Sequence, residues 1–346
     1  MAYINFQPSD HFNTLLYSGT GSTQSITGVG FQPDWVWIKN ASSGSNYDHV
    51  LYDAVRGVTK HIHSNTTDAE DTQSDGLTAF GTDGFTVGAD SKSNSNGSTL
   101  VSWNWKAGNS AGSSNTDGSI TSTVSANTTA GFSIVTYTGT GISSGTATVG
   151  HGLGEVPSVV IQKRTGGTAN WNMYHKSIGN TGSLSLNLTS ATNSQTDYWG
   201  DTTPSSSVVT IGPNTAISGA NVLYCFAEKK GYSKFGSYIG NGNANGVFVY
   251  TGFKPAFVIA KRTDTANSWN MLDNKRDPFN DSTESNLFAD SSNAENTTYK
   301  EIEFVSNGMK VRSSGTGTNA SGGTYIYMAF AENPFVTSTG IPTTAR

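Results

Sequence analysis

The chain has 346 residues, of which 40 are glycine and 13% are charged, with a formal net charge of -5 at pH 7. An average soluble domain carries about 25% charged residues and about 7% glycine, so polarity here comes from Ser, Thr, Asn and Gly, which favour turns and strand surfaces over helix interiors. Scattered lysines on an acidic chain exclude the clustered basic face that nucleic acid requires, and no run reaches the roughly 20 apolar residues of a membrane span.

In chain order, the opening Met1-Ala2-Tyr3-Ile4-Asn5-Phe6 lacks the basic stretch and apolar core of a secretory signal. A strand ending in tyrosine and a Gly-rich turn follows, Leu15-Leu16-Tyr17-Ser18-Gly19-Thr20-Gly21. It returns as Ile134-Val135-Thr136-Tyr137-Thr138-Gly139-Thr140-Gly141 and as Phe235-Gly236-Ser237-Tyr238-Ile239-Gly240-Asn241-Gly242. A proline before an apolar strand ending in lysine is the second landmark: Pro33 to Lys39, Pro157 to Lys163 and Pro255 to Lys261. Proline is tolerated there because no ladder hydrogen bond has yet begun. Lys163-Arg164-Thr165 matches Lys261-Arg262-Thr263, and Trp171-Asn172-Met173 matches Trp269-Asn270-Met271. Each copy closes on an aromatic strand holding Trp103 and Trp105, Tyr224 and Phe226, or Tyr327 and Phe330.

Ordered landmarks in triplicate predict an all-β protein of three tandem β-sandwich modules. Module one takes residues 1–108, a Ser/Gly/Asn-rich linker or loop 109–129, module two 130–231 and module three 232–346. The alternation of Trp35 and Trp37 with Val36 and Ile38 marks a strand with two buried faces or one aromatic face. Continuous runs such as Val159-Val160-Ile161 read as central strands. One helical turn is expected near Tyr52-Asp53-Ala54-Val55-Arg56-Gly57-Val58, and modules two and three, joined by Glu228-Lys229-Lys230-Gly231, should pack tightly. Cys225, in Val222-Leu223-Tyr224-Cys225-Phe226-Ala227, has no disulfide partner and reads as a buried small hydrophobe. Folding in a reducing cytoplasm, then release by lysis, suits these features.

No constellation reads as catalytic, and no cofactor or metal is expected. The acidic run Asp68-Ala69-Glu70-Asp71, with Asp75 nearby, lacks the ligand spacing of a calcium loop and is expected as a solvated loop. His61-Ile62-His63, with His49 nearby, places two imidazoles on one strand face without a third ligand at a recognisable spacing, so a strand surface is expected. No Gly-x-Ser-x-Gly elbow or phosphate loop is present. Trp171, Tyr198, Trp199 and Trp269 lie in polar surroundings, the chemistry of sugar stacking or protein contact; Trp171 and Trp269, at one repeat position, have the alternative role of closing each sandwich. The segment 195–204, with Tyr198, Trp199 and Asp201, differs between copies and has only Tyr299 as a partial counterpart. Variable loops on a rigid scaffold tend to carry contacts, so Trp199 is expected to be exposed or covered only by a partner.

Several segments resemble a family of marine tailed-bacteriophage proteins, cyanobacterial phages among them. They are Tyr3-Ile4-Asn5-Phe6-Gln7-Pro8-Ser9-Asp10, Leu51-Tyr52-Asp53-Ala54-Val55-Arg56-Gly57-Val58-Thr59-Lys60, Phe235-Gly236-Ser237-Tyr238 with Tyr250-Thr251-Gly252-Phe253, and Tyr325-Ile326-Tyr327-Met328-Ala329-Phe330-Ala331-Glu332-Asn333-Pro334-Phe335. The resemblance implies lectin-like, jelly-roll-like sandwich modules in a structural or tail-associated virion protein, and it brings no catalytic residues. The expected function is a non-enzymatic virion component, tail-associated or fibre-like. It would contact other virion proteins and itself, as a trimer or higher symmetric oligomer, with host-surface carbohydrate as a ligand class. Capsid decoration and, in another class, a polysaccharide depolymerase are the alternatives.

Overall fold

The structure is a computed structural model describing residues 7–42, 44, 46–278, 285–298, 300–332, 335–336 and 342–343; residues 1–6, Tyr299, Asn333 and Pro334, which figured in the sequence reading, lie outside them. It is an all-β fold. Copy one holds β1 (Phe12–Ser18), β2 (Gln24–Thr27), β3 (Trp35–Asn40), β4 (Val50–Asp53), β5 (Lys60–His61), β6 (Asp71–Thr72), β7 (Leu77–Gly81), β8 (Gly84–Val87), the short helix α1 (Ser91–Asn94) and β9 (Thr99–Trp105). Copy two holds β10 (Ser113–Asn115), β11 (Ser122–Asn127), β12 (Phe132–Gly139), β13 (Ala147–Gly150), β14 (Val159–Arg164), β15 (Asn172–His175), β16 (Gly182–Ser185), β17 (Asn193–Ser194), β18 (Val208–Ile211) and β19 (Gly219–Phe226). Copy three holds β20 (Ser233–Ile239), β21 (Phe248–Tyr250), β22 (Pro255–Arg262), β23 (Asn270–Asp273), β24 (Leu287–Phe288), β25 (Ile302–Val305), β26 (Gly308–Val311) and β27 (Thr324–Ala331).

The same antiparallel order recurs in the large sheets: β1-β9-β3-β4, β12-β19-β14-β15 and β20-β27-β22-β23. Register repeats as well, with Trp35 opposite Trp105, Val159 opposite Phe226 and Phe257 opposite Phe330. Smaller sheets, β2-β8-β7, β13-β18 and β21-β26-β25, cover one face of each large sheet. The repeated tyrosine has one task throughout: Tyr17, Tyr137 and Tyr238 donate their hydroxyls to the carbonyls of Ser93, Thr215 and Thr318. The turn glycines follow from geometry. Gly21, Gly141 and Gly242 sit at φ of 67°, 66° and 66°, a left-handed conformation that glycine adopts without steric cost. Two residues earlier, a side chain at Gly19, Gly139 or Gly240 would run into the main chain at Ser95, Ile217 or Ala320.

The central strands have two buried faces. Val36 and Ile38, Val160, and Val258 with Ala260 point into separate outer cores beneath the small sheets. Trp35 and Trp37, Val159 and Ile161, and Phe257 and Ile259 point the other way, into one core shared by all copies. There Trp35 stacks on Tyr224 of copy two at 4.4 Å between ring centroids, and Phe12 stacks on Phe330 of copy three at 5.3 Å. A small void among Trp35, Ile161, Phe226, Ile259 and Phe330 is walled by apolar side chains, so it offers water no hydrogen-bond partners. Cys225 is buried in the outer core of copy two, and burial pushes its thiol up to about 12.

One local expectation is corrected. The stretch 109–129 is not a simple linker: β10 and β11 extend the sheet beyond β12, with Val124 packed into the outer core. Ser and Thr suit such an edge, where one face is wet. The turn expected near Tyr52–Val58 follows strand β4 as a single helical turn, closed by Gly57 N to Asp53 O at 3.0 Å and capped by the Asp53 carboxylate, which accepts from the amides of Val55 and Arg56.

Candidate functional site at the seams between the copies

In each copy an eight-residue segment, 63–70, 185–192 or 288–295, runs along the rim and accepts the neighbouring copy. At its first residue a carbonyl receives a ring nitrogen: His63 O accepts from Trp171 Nε1 at 2.8 Å, and Ser185 O accepts from Trp269 Nε1 at 3.0 Å. Phe288 O pairs in the same way with His49 Nε2 at 3.0 Å. His49 Nδ1 accepts from Trp37 Nε1, which can only donate, so the proton sits on Nε2 and the imidazole imitates an indole. Burial and nearby Lys39 hold His49 well below the ordinary histidine value, which keeps the ring neutral.

Four residues on, a carbonyl accepts a buried ammonium. Lys163 Nζ reaches Thr67 O at 3.0 Å, Lys261 Nζ reaches Thr189 O at 3.1 Å and Lys39 Nζ reaches Ser292 O at 3.1 Å. All three lysines are fully buried, and burial draws each ammonium down from 10.5 to about 8. At the eighth residue an amide closes the contact: Glu70 N to Thr165 O at 2.9 Å, Thr192 N to Thr263 O at 2.9 Å, and Glu295 N to Ala41 O at 3.2 Å. Copy two thus sits on copy one, copy three on copy two and copy one on copy three, a closed ring.

A second layer distinguishes the seams. Asp53 takes Arg56 Nε, Arg56 Nη1 reaches Glu70 Oε2 at 3.2 Å, and Tyr224 of copy two donates to Asp53 Oδ2 at 2.7 Å. Copy three repeats this with Asp273, Arg276 and Glu295, and Trp103 Nε1 of copy one donates to Asp273 Oδ2 at 3.1 Å. Both clusters are buried ion pairs whose remaining valences are hydrogen-bonded, the condition under which such groups are tolerated inside a protein. In copy two the matching residues are His175, Ile178 and Thr192. His175 Nδ1 accepts from Ser177 N, so Nε2 donates to Tyr327 O of copy three at 3.3 Å. Burial lowers this imidazole to about 4.

The residues singled out from sequence separate accordingly. Trp171 and Trp269 are buried, but they close seams between copies and not their own sandwiches. Trp199, expected at the surface, is corrected: only 1% exposed, it packs in the outer core of copy two, edge-on to Tyr174 at 6.0 Å. The loop 195–204 turns its largest ring inward. Tyr198 beside it is half-buried and accepts from Asn193 Nδ2, while Asp201 is exposed at a φ of 50°. His61 and His63 are buried, not on a strand surface, with ring centroids 4.6 Å apart, and burial lowers His61 to about 4. Among the described residues no His, Cys, Asp and Glu group is arranged to hold a metal ion. Asp68 and Asp71 are exposed as expected, whereas Glu70 turns in to Arg56 and Lys60.

The ion clusters do leave a signal in the sequence. Asp53-Ala54-Val55-Arg56 and Asp273-Asn274-Lys275-Arg276 share an Asp-x-x-Arg spacing, each with a glutamate further on that begins no motif of its own. The chain belongs to the family described as Domain of unknown function (DUF7483), whose model matches residues 7–334. No curated protein and no solved structure matches it.

Proposed function

We propose that this DUF7483 member is a non-enzymatic structural protein of a phage particle, exposed on the virion and tail-associated. Its three copies would act as one stiff hub that meets other virion proteins, further copies of itself and host-surface carbohydrate. The observation that carries this reading is the closed ring of seams. General acid–base or nucleophilic chemistry needs a titratable group within reach of a substrate; here Lys39, Lys163, Lys261, His49, His175, Asp53 and Asp273 are buried and bonded to other parts of the chain. A particle component must also hold its shape outside the cell. With Cys225 as a free buried thiol, that stiffness rests on interlocked packing and buried polar contacts. The resemblance to marine phage proteins supports the location.

Mass spectrometry of purified virions, with cryo-microscopy of the particle, tests the proposal. The protein should be present in stoichiometric amounts at symmetric tail positions. Density on the capsid lattice would move it to capsid decoration. Its absence from purified particles, or release of oligosaccharides from host polysaccharide by the pure protein, would overturn the reading.

A further inference from the structure

Copy three differs from its siblings on the outside of its small sheet. Strand β21 alternates exposed, buried, exposed: Phe248 is 49% and Tyr250 64% exposed, while Val249 between them is buried in the outer core. The register shows how unusual this is within the chain. Val249 lies opposite Met309, as Ile26 lies opposite Phe85 and Val149 opposite Val209. The counterparts of Phe248 and Tyr250 are therefore Ser25 and Thr27 in copy one, and Thr148 and Gly150 in copy two. Packing does not ask for an aromatic ring at these places.

Both rings lie beside glycines. A Cβ at Gly308 would stand 3.0 Å from Phe248 Cε2 and 3.1 Å from Cζ, and one at Gly252 would stand 3.5 Å from Tyr250 Oη. The Phe248 ring lies beside the bare backbone at Gly308 and remains half exposed. Residues two apart on a strand are about 7 Å apart, so the rings form a short row of stacking faces. Next to Phe248 in register stands Lys310, and beyond it Glu303, which pairs with Lys300 and with Arg312. Cations are thus set against a carboxylate, and the face alternates aromatic surface with fixed hydrogen-bonding groups.

We infer that Phe248 and Tyr250 form a saccharide-binding platform, with the C–H face of a sugar ring stacked on the aromatics and its hydroxyls meeting Lys310 and Glu303. Two part-exposed rings fall far short of the roughly 800 Å² per partner of a stable protein interface. They match the size of a sugar ring, whose faces are apolar and whose edges are polar. The inference rests on the proposed surface-exposed role and gives its carbohydrate contact a location, in copy three and not at Trp199.

The test compares the full chain with the double variant Phe248→Ser/Tyr250→Thr, which carries the residue types of copy one. Both are applied to an array of bacterial surface saccharides, and the strongest hit is titrated calorimetrically. The wild type should bind at least one saccharide, and the variant should lose at least tenfold in affinity with its thermal midpoint unchanged, because both rings are exposed. No saccharide bound, or equal binding by the variant, overturns the platform. So does a wild-type dimer in sedimentation that the variant abolishes, which would assign the face to a second copy. Virion proteomics fails or succeeds separately: a protein found on particles that binds no saccharide refutes the platform alone, and one that binds but is absent from particles refutes the virion role alone.

Discussion

Replacing Lys163 by methionine probes what a buried lysine does at a seam. The Lys163 ammonium is fully buried and donates to Thr67 O at 3.0 Å across the seam and to Ala169 O at 2.9 Å. Burial lowers its proton affinity from 10.5 to about 8. At about 1.4 kcal/mol per pH decade, carrying the charge costs the folded state about 3 kcal/mol near neutrality. Between pH 8 and 10.5 the unfolded chain keeps a proton that the folded chain has released, so the contribution of this group to stability rises with pH through that window. Methionine keeps most of the apolar stem and has no proton to lose, but it leaves the Ala169 carbonyl without this donor, at about 1 to 3 kcal/mol. At pH 7 the charge penalty that the variant escapes equals or exceeds this cost, so Lys163→Met should be as stable as the wild type or up to about 2 kcal/mol more stable. Between pH 7 and pH 10 the wild type regains most of its deficit, so the variant should lose about 2 to 3 kcal/mol relative to it across that range. Urea denaturation followed by tryptophan fluorescence at pH 7, 8, 9 and 10 reads the difference directly. A gap that stays constant across the series refutes the argument.

Two further substitutions address the seams and the outer core. Tyr224→Phe removes one donor to the buried Asp53 carboxylate and should lower stability by about 1.5 to 3 kcal/mol, the range for a hydrogen bond to a charged group; an unchanged urea midpoint would mean that Arg56 and the amides of the turn satisfy Asp53 without it. Trp199→Ala empties a ring-sized site in the outer core of copy two and should cost about 3 to 5 kcal/mol in thermal or chemical unfolding, so a variant as stable as wild type would contradict the burial of this ring.

The repeat was legible because its landmarks are local. A tyrosine, a glycine that tolerates no side chain and a left-handed glycine are required at fixed spacing by one turn, wherever that turn occurs. The two buried faces of Trp35 to Ile38 were also visible as unbroken apolarity. What the sequence does not show is which surfaces of a unit meet another unit. Trp171 and Trp269 follow Asn170 and Ser268 and precede Asn172 and Asn270, so they look like surface residues. Trp199 misled for the opposite reason: the polar residues around it form the outside of a loop whose one large ring points in. Phe248 and Tyr250 carry no surface signal in the sequence, because Val247-Phe248-Val249-Tyr250 is an unbroken apolar and aromatic run, and only the register with β26 shows which side chains face out. His49 resembles a metal-ligand candidate because nothing local reveals that it stands where the other copies have tryptophan.

The ring has a consequence for how its parts come together. Lys39 and Ser292 meet across 253 residues of sequence, so the last seam forms only once the chain has been synthesised past residue 292. Three separate chains of this unit would have to find one another by diffusion, at a rate set by their abundance. Joined covalently, they meet at an effective concentration fixed by the connecting segments, independent of how much protein a cell contains. Joining also lifts a constraint that identical subunits cannot escape, since in a homotrimer any substitution appears at all three positions. Here one seam can use histidine and threonine where two use aspartate, arginine and glutamate, and one outer face can carry aromatic rings while the others stay polar.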